Sequence, residues 1–243
     1  RKSLAAHALA SGRLIAPFDL ATPIDEAFHL IVPAGGTNHP DADAFVGWLR
    51  RAFNILPLDH AISRLKDGSL PSRAAALTFD DGYADNHDVA MPVLCKHGVS
   101  ATFFIAVGFS NGGRMWNDTV IESIRSCRQS ALDLRSLNLG CHPLSTIEQR
   151  RAAISDLLGR LKYCPVDERL QLVDSIGQLS GVRLPNNLMM DTTRLRAMRK
   201  AGMGIGAHTI NHPILARLSD DEATREIIMG KSNLEALIDE EVG

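Results

Sequence analysis

The 243-residue sequence predicts an α/β fold, with helices outside a parallel sheet or barrel. Short apolar, strand-like segments alternate with segments of helical periodicity, as expected for parallel strands joined by crossover helices. The segment Val99–Val107 is β-branched and aromatic and apolar on both faces, as a central parallel strand is. Polar residues follow predicted strands at Asp80 and His208, and the carboxyl ends of parallel strands are where functional loops lie. The chain length suits one barrel-sized domain.

The first half of the chain begins this alternation. Asp59 is a candidate N-cap, and Asp67-Gly68 a candidate stop, for the helix between them. Pro92 is an awkward interior residue for the following helix, which Gly98 is suited to end. The elements predicted here are a helix at 43–53, an extended piece at 54–58, a helix at 59–66, a buried strand at 74–79 and a helix at 88–97.

The second half continues with helices and one more strand. Asp191 is a candidate N-cap for a helix that Gly202 ends, and Ser219 with Glu222 forms a capping box for the last helix. The predicted elements are a strand at 99–107, helices at 118–128, 146–161, 166–179 and 191–202, a strand at 204–207 and a helix from 219 to about 238. We expect an N-terminal segment at 1–42 and one domain at 43–243, with a helical insertion at about 118–190.

Composition excludes several classes of protein. A hydrophobic content of 45%, a charged content of 22% and a net charge of −2 are ordinary for a globular protein and give no reason to expect nucleic acid as a partner. No apolar run reaches the roughly 18 residues of a transmembrane segment. The start, Arg1–Ala10, favours a short amphipathic helix over a signal peptide. The four cysteines show no metal-binding spacing, so we expect packed, reduced thiols and favour a cytoplasmic location.

Two pairs of residues carry the candidate chemistry. Asp80 and Asp81 end a strand, and His208 and His212 follow another with the four-residue spacing that places two imidazoles on one side of a helical turn. Two histidines and one carboxylate form an open, catalytic style of metal site. Zn²⁺ is the first expectation, with Co²⁺, Ni²⁺, Fe²⁺ or Mn²⁺ as alternatives. The second carboxylate would remain free as a general base.

Structural explanations compete with this one. Asp-Asp-Gly is usually a turn, and a lone His-x-x-x-His is often a solvated helix face. Their coincidence at two strand ends favours a shared site. The remaining histidines have no matching partners and are expected to be structural or superficial: His7, His29, His39, His60, His87, His97 and His142.

Both motifs resemble those of a known family. Thr78–Tyr83 and His208–Pro213 are similar to the first and second motifs of the polysaccharide deacetylases, that is, carbohydrate esterase family 4 or the NodB-homology domain. The segments Ala101–Ile105 and Met203–Ala207 resemble the family's flanking strands, and Met115–Asp118 resembles a bacterial subgroup. The resemblance runs from about residue 53 to 237 and is weakest in the middle helices.

The resemblance implies a fold, an activity and residue roles. The fold would be a distorted, incomplete (β/α)7 TIM-like barrel, and the reaction metal-dependent hydrolysis of N-acetyl groups on an amino-sugar polysaccharide. Asp80 would be the catalytic base, and Asp81, His208 and His212 the metal ligands. The substrate-binding candidates are Tyr83, Trp116, Asn117 and Asp118. For the last three, a loop anchor with an N-cap at Asp118 is the alternative.

The sequence also departs from the resembled family. The family's later motifs supply an oxyanion pocket and a Leu-x-His general acid, whereas this sequence has no histidine after His212. Phe28–Pro33 stands where the subgroup has a Tyr-His-Arg-like start. The sequence is then either a piece of a longer deacetylase or a divergent member with slow turnover. We expect completion by a partner chain or marginal stability, and a rate lowered about 10²–10⁴-fold by loss of the acid.

Three functions stay open from the residues. The first is a metal-dependent amidase acting on N-acetylated polysaccharide, and the second a non-catalytic metal- or carbohydrate-binding protein on the same scaffold. The third is phosphoryl transfer with Asp80 as nucleophile, although that chemistry favours Asp-x-Asp spacing and gives His208 and His212 no role.

Overall fold

A computed structural model describes residues 40–111 and 113–242. The predicted amphipathic helix at Arg1–Ala10 and the departure at Phe28–Pro33 lie outside these residues. The helices are α1 (Pro40–Ala52), α2 (Leu58–Lys66), α3 (Met91–Lys96), α4 (Trp116–Ser126), α5 (Ile147–Leu161), α6 (Val166–Ser180), α7 (Thr192–Lys200) and α8 (Asp220–Ile238). The strands are β1 (Asn54–Ile55), β2 (Ala74–Ala75), β3 (Thr78–Phe79), β4 (Thr102–Ile105), β5 (Ala131–Asp133), β6 (Cys141–Pro143) and β7 (Gly204–Ala207).

The central sheet contains three parallel strands in the order β3–β4–β7. Thr102 and Phe104 of β4 lie opposite Gly204 and Gly206 of β7. A Cβ on either glycine would come within 2.8 Å of those β4 side chains, so glycine lets them lie over the neighbouring strand. The α/β class is confirmed. Because the described strands form separate sheets, the (β/α)7 barrel remains a prediction.

The strand predicted at 74–79 is divided between two partners. Ala74–Ala75 pairs in parallel with β1, whereas Thr78–Phe79 pairs in parallel with β4. Its residues are half-buried or exposed rather than fully buried, since each part has only one paired neighbour among the described strands. The second part, Thr78–Phe79, is followed directly by Asp80 and Asp81.

Capping explains where two predicted helices begin. The Asp191 carboxylate accepts a hydrogen bond from Arg194 N at 2.8 Å and starts α7. Ser219 and Glu222 exchange the two hydrogen bonds of a capping box and start α8. Both predictions are confirmed.

Two other helix starts differ from expectation. The N-cap of α2 is Pro57, and Asp59 lies in the first helical turn, where its charge suits the helix dipole. The helix predicted at 88–97 begins as a π-helical turn, Asn86–Ala90. Pro92 directly follows this π-helical turn as the second residue of α3, and Gly98 lies just past the end of α3 with a φ of +62°.

The insertion predicted to be helical also contains an antiparallel hairpin, β5–β6. Its strands are only three residues long, which is too short to show a period-2 pattern. The hairpin packs with α4, α5 and α6 around a second hydrophobic core. This second core includes Val120, Ile124, Leu132, Leu157 and Ile176, and the first, around β4, includes Phe103, Ile105, Leu195, Ile205 and Leu234.

The prediction for the cysteines is confirmed only in part. All four cysteines are free, as predicted, but Cys95 and Cys141 are exposed, so the expectation of packed thiols is wrong for those two. No helix within the described ranges is both long and apolar enough to cross a bilayer.

Candidate metal centre

The turn Asp80–Tyr83, which we call the carboxylate turn, follows β3 directly. Gly82 N donates a hydrogen bond to Asp80 O at 2.9 Å, and Asp81 between them has a φ of +73°. This is the rare form of γ-turn, in which a non-glycine residue is strained. Gly82 also has a positive φ, and a Cβ there would lie 3.1 Å from the Ile105 side chain. Only glycine suits that position.

Main-chain hydrogen bonds hold the carboxylate turn in place. Ala106 N, just after β4, donates to Asp81 O at 3.2 Å. Met190 N donates to Gly82 O at 2.9 Å. The turn is therefore fastened to the end of the central strand and to the segment before α7.

The loop His208–His212, which we call the histidine loop, continues from β7. His208 N donates to Ile105 O at 2.8 Å, which extends the sheet ladder by one bond, and Gly108 N donates to Ile210 O at 2.9 Å. A Cβ on Gly108 would lie 2.6 Å from that carbonyl oxygen, so the close approach requires glycine.

The two histidines converge without a helix. Thr209 has a φ of +66° and His212 a φ of +49°, so the expectation of a helical turn is wrong. Left-handed residues at both positions bend the loop sharply. Strained backbone of this kind is typical of functional sites, where it directs side chains toward a common point.

Three side chains meet where the carboxylate turn and the histidine loop come together. Asp81 Oδ1 lies 3.5 Å from His208 Nε2 and 3.3 Å from His212 Nε2. Ligand atoms of these three residues all lie within 4.8 Å of one another. The three residues are half-buried, so the site is open on one side.

The donor set fits a divalent cation. Asp81 Oδ1 is buried and has no hydrogen-bond partner among the described residues, which is costly for a carboxylate oxygen unless a cation compensates. Burial lowers the pKa of His212, while the charge of Asp81 acts in the opposite direction. A lowered pKa favours the neutral imidazole, which is the form that binds a metal.

Asp80 stands beside this triad. Asp80 is exposed, and its carboxylate forms no hydrogen bond with any described side chain. Its charge raises the pKa of His212, as that of Asp81 does, which indicates proximity. The structure thus brings three of the four predicted residues into contact and leaves Asp80 exposed next to them.

Three of the other four predicted residues, Tyr83, Asn117 and Asp118, share one hydrogen-bond network. Tyr83 Oη donates to Asp118 Oδ1 at 3.1 Å and accepts from Asn117 Nδ2 at 3.3 Å. Asp118 Oδ2 accepts from Met115 N at 2.8 Å. Burial raises the pKa of Tyr83 and of Asp118. Trp116 is only 8% exposed, and its contact with substrate stays a prediction.

The predicted N-cap at Asp118 is displaced. Met115 is the N-cap of α4, and Asp118 is the third helical residue, whose carboxylate reaches back to the cap N–H. Asp118 therefore does serve the helix start, from the other half of a capping box.

Sequence reasoning missed two residues at this site. Glu226 of α8 accepts hydrogen bonds from Ile210 N, Asn211 N and Asn211 Nδ2 at 2.8–2.9 Å. Arg169 of α6 is 2% exposed, lies over the Trp116 ring at 4.7 Å and donates to Asn211 O at 3.3 Å. For Glu226 the sequence offers one signal, because Glu226 and Gly230 are four residues apart and so lie on one face of the same helix. No sequence pattern points to Arg169.

The other described histidines match the structural expectation. His87 contacts Asp88, His97 contacts Asp43 and His142 contacts Leu139 O, each within 2.9 Å. His60 is exposed. His7, His29 and His39 lie outside the described residues. Within the described chain, the triad forms the one cluster with metal-ligand geometry.

Cavities around the triad are small. One of about 250 Å³ borders His208 and His212 and is closed by Pro213, Leu215 and Ile227. A larger cavity of about 710 Å³ lies elsewhere, along β4 and β7. We assign the chemistry to the smaller of these two cavities, because two of the three candidate ligands, His208 and His212, line it.

Comparisons with known proteins identify a family for this chain. The family model described as polysaccharide deacetylase matches residues 67–128 and 179–242, more than half of the chain. The YxkH protein of Bacillus subtilis (strain 168), whose name places it provisionally among the polysaccharide deacetylases, is 30% identical over 118 residues, which are 47% of this chain and 41% of that protein. The chain spans about two fifths of that relative's length.

Two solved structures are also similar to this chain. The Streptococcus pyogenes deacetylase PplD in complex with acetate has a TM-score of 0.47 and 18% identity, with 88% of this chain and 66% of that chain covered. IcaB from Ammonifex degensii has a TM-score of 0.49 and 15% identity, with 83% and 62% covered. On the strength of the family match, whose two segments contain the carboxylate turn and the histidine loop, this chain belongs to the polysaccharide deacetylase family.

Proposed function

We propose that this protein is a metal-dependent hydrolase that removes N-acetyl groups from an amino-sugar polysaccharide. The observation that carries the proposal is the convergence of Asp81, His208 and His212 around a buried carboxylate oxygen without a hydrogen-bond partner. Membership of the polysaccharide deacetylase family supports the reaction class.

Asp81, His208 and His212 would hold the cation. Zn²⁺ suits two imidazoles and one carboxylate, and Co²⁺, Ni²⁺, Fe²⁺ and Mn²⁺ accept the same ligands. A divalent cation with open positions lowers the pKa of water and polarises a carbonyl oxygen. The γ-turn and the two left-handed loop residues set the directions from which the three ligand side chains would approach the cation.

Asp80 would act as the general base. Its carboxylate is exposed, near His212 and free of described side-chain hydrogen bonds, so it can accept a proton from the attacking water. The protonated acid would return that proton to the leaving amine, which gives acetate and a free amino group. Tyr83, Asn117 and Asp118 would support the substrate side of the turn through their hydrogen-bond network.

The phosphoryl-transfer alternative has less support. It would use Asp80 as a nucleophile and would leave unexplained why His208 and His212 lie within 3.5 Å of Asp81. The proposed metal centre would give all three residues a role as ligands.

Acetate release from N-acetylglucosamine oligomers, measured beside metal content, tests the proposal. We expect one equivalent of metal and release of acetate by the parent protein. Asp80→Asn should keep the metal and lower the rate about 10²–10⁴-fold. His60→Ala removes an exposed histidine that is not part of the triad and is the control. Metal bound without acetate release would favour a non-catalytic binding protein, and no metal binding would overturn the proposal.

A further inference from the structure

The centre of the histidine loop lies between two strained residues. Thr209 and His212 both have positive φ, and Ile210 and Asn211 lie between them. Such conformations persist only where the surroundings hold them. The contacts of Ile210 and Asn211 therefore decide how far apart the two imidazoles stand.

Glu226 supplies most of these contacts. Its Oε2 accepts from Ile210 N at 2.8 Å and Asn211 N at 2.9 Å, and its Oε1 accepts from Asn211 Nδ2 at 2.8 Å. One ionised side chain thus satisfies three donors of two consecutive residues. Hydrogen bonds to a carboxylate are stronger than neutral ones.

Gly230 brings the helix close enough for this. It lies one turn after Glu226 on the same face of α8. A Cβ at Gly230 would lie 3.0 Å from Thr209 C and 3.2 Å from Thr209 Cα and O, so a side chain there would push the helix from the loop. Glu226 and Gly230 together form the surface on which the loop rests.

Arg169 holds the loop through a different group. It donates to Asn211 O at 3.3 Å from the helix α6, and its guanidinium is buried over Trp116. Asn211 is therefore bound through its N–H and side-chain amide by Glu226 and through its carbonyl by Arg169.

We infer that Glu226 is a positioning residue that sets the separation of His208 and His212 for metal binding, with Arg169 as its partner on the Asn211 carbonyl. The inference rests on the proposed function, because it takes the two histidines as metal ligands. Without Glu226, three donors lose their acceptor and the strained residues can relax. The imidazoles would then no longer meet Asp81 in one place.

The test compares three variants of α8 in the intact chain. Glu226→Ala removes all three acceptor contacts. Glu226→Gln keeps an acceptor oxygen, and the Asn211 amide can rotate to accept from the new amide N–H. Glu222→Ala is the matched control, since it removes an equal charge one turn earlier in the same helix. The Glu222 carboxylate accepts two hydrogen bonds from Ser219 and none from the histidine loop.

Two measurements are made on each variant. Zn²⁺ affinity is measured by competition with a chelating dye, and amide hydrogen exchange at Ile210 and Asn211 is measured in metal-free protein. We expect Glu226→Ala to weaken Zn²⁺ binding about 10–100-fold, as loss of a supporting contact around metal ligands does. Exchange at both amides should rise at least tenfold. Glu226→Gln should recover most of both, and Glu222→Ala should alter neither beyond about twofold.

Distinct outcomes separate the two proposals. Unchanged Zn²⁺ affinity in Glu226→Ala, with a parent that binds Zn²⁺, overturns the positioning role alone. An equal loss of affinity in Glu222→Ala also overturns it, because general destabilisation of α8 would then be the cause. A parent protein that binds no metal overturns the proposed function and the metal-positioning role together, whatever the exchange shows.

Discussion

The carboxylate turn and the histidine loop bring ligands to one point by different means. The carboxylate turn is held by main-chain hydrogen bonds to β4 and to the segment before α7. The histidine loop uses main-chain bonds too, but its centre depends on the side chains of Glu226 and Arg169 from two separate helices. The turn that carries Asp81 is thus held by main-chain hydrogen bonds, whereas the loop that carries His208 and His212 also depends on side chains from other elements.

This difference predicts how each half responds to substitution. Side-chain changes around the carboxylate turn should alter chemistry or stability while its backbone persists. Changes around the histidine loop should alter metal affinity even when they lie on distant elements. The following four variants separate these behaviours, from the largest expected effect to the smallest.

Asp81→Asn should have the largest effect on activity. Asparagine tolerates a φ of +73°, so the turn should survive while the anionic ligand is lost. We expect acetate release to fall about 10³-fold or more, since metal assistance is worth several kcal/mol and each 1.36 kcal/mol is tenfold.

The same variant should not destabilise the metal-free chain. The buried Oδ1 has no hydrogen-bond partner among the described residues, so removing its charge relieves a cost. Urea unfolding with a chelator present should show equal or greater stability. A clear loss of stability would mean that the carboxylate itself holds the turn.

Gly108→Ala should disturb the histidine loop through its backbone. The added Cβ would lie 2.6 Å from Ile210 O, so main-chain atoms must move. We expect a loss of about 1–3 kcal/mol in the free energy of unfolding, with weaker Zn²⁺ binding. Gly159→Ala in α5 is the control. Nothing lies within 4 Å of that site, so the helix should gain about 1 kcal/mol.

Tyr83→Phe tests whether the carboxylate turn depends on its side-chain network. The change removes the hydroxyl that joins Asp118 and Asn117 and leaves partly buried polar groups without a partner. Denaturant titration should show a loss of about 1–2 kcal/mol. Zn²⁺ affinity should stay within about threefold of the parent. A larger fall would show that the turn, like the histidine loop, relies on side chains.

Asp88→Asn should have the smallest effect. Asp88 follows the carboxylate turn and pairs with Arg194 of α7 through two contacts of 3.0 and 3.1 Å. The hydrogen bonds from Arg194 lower the pKa of Asp88. A lowered carboxyl pKa contributes stability above the unfolded value of about 3.9 and loses it as the pH falls through the folded value.

The pair is largely exposed, so its contribution should not exceed about 1 kcal/mol at pH 7. Unfolding curves of parent and variant should therefore differ slightly at pH 7 and coincide near pH 2. A difference that grows on acidification would refute the assignment.

The same contrast explains what the sequence revealed. An apolar run followed by Asp-Asp-Gly was enough to predict a turn at a strand end, and side-chain caps at Asp191 and Ser219 were enough to predict two helix starts. The γ-turn at Asp81 and the non-helical path from His208 to His212 were not predictable, because they depend on positive φ at non-glycine residues.

Tertiary contacts account for the remainder. Glu226 lies 16 residues from Ile210 and Arg169 lies 42 residues from Asn211, so no local pattern links them to the ligands. The β5–β6 hairpin was hidden by its short strands. Tyr83 and Asp118 are predicted substrate contacts, and the hydrogen bond between them forms only because α4 packs beside the turn.

X-ray absorption at the zinc edge of the metal-loaded protein tests the central claim most directly. The account predicts two imidazole nitrogens and at least one carboxylate oxygen in the first shell, at about 2.0–2.2 Å. The Asp81→Asn and His208→Ala variants should each change that shell. A shell with sulfur at about 2.3 Å, or one without imidazole scattering, would contradict it and place the metal elsewhere, for example at the exposed thiols of Cys95 or Cys141.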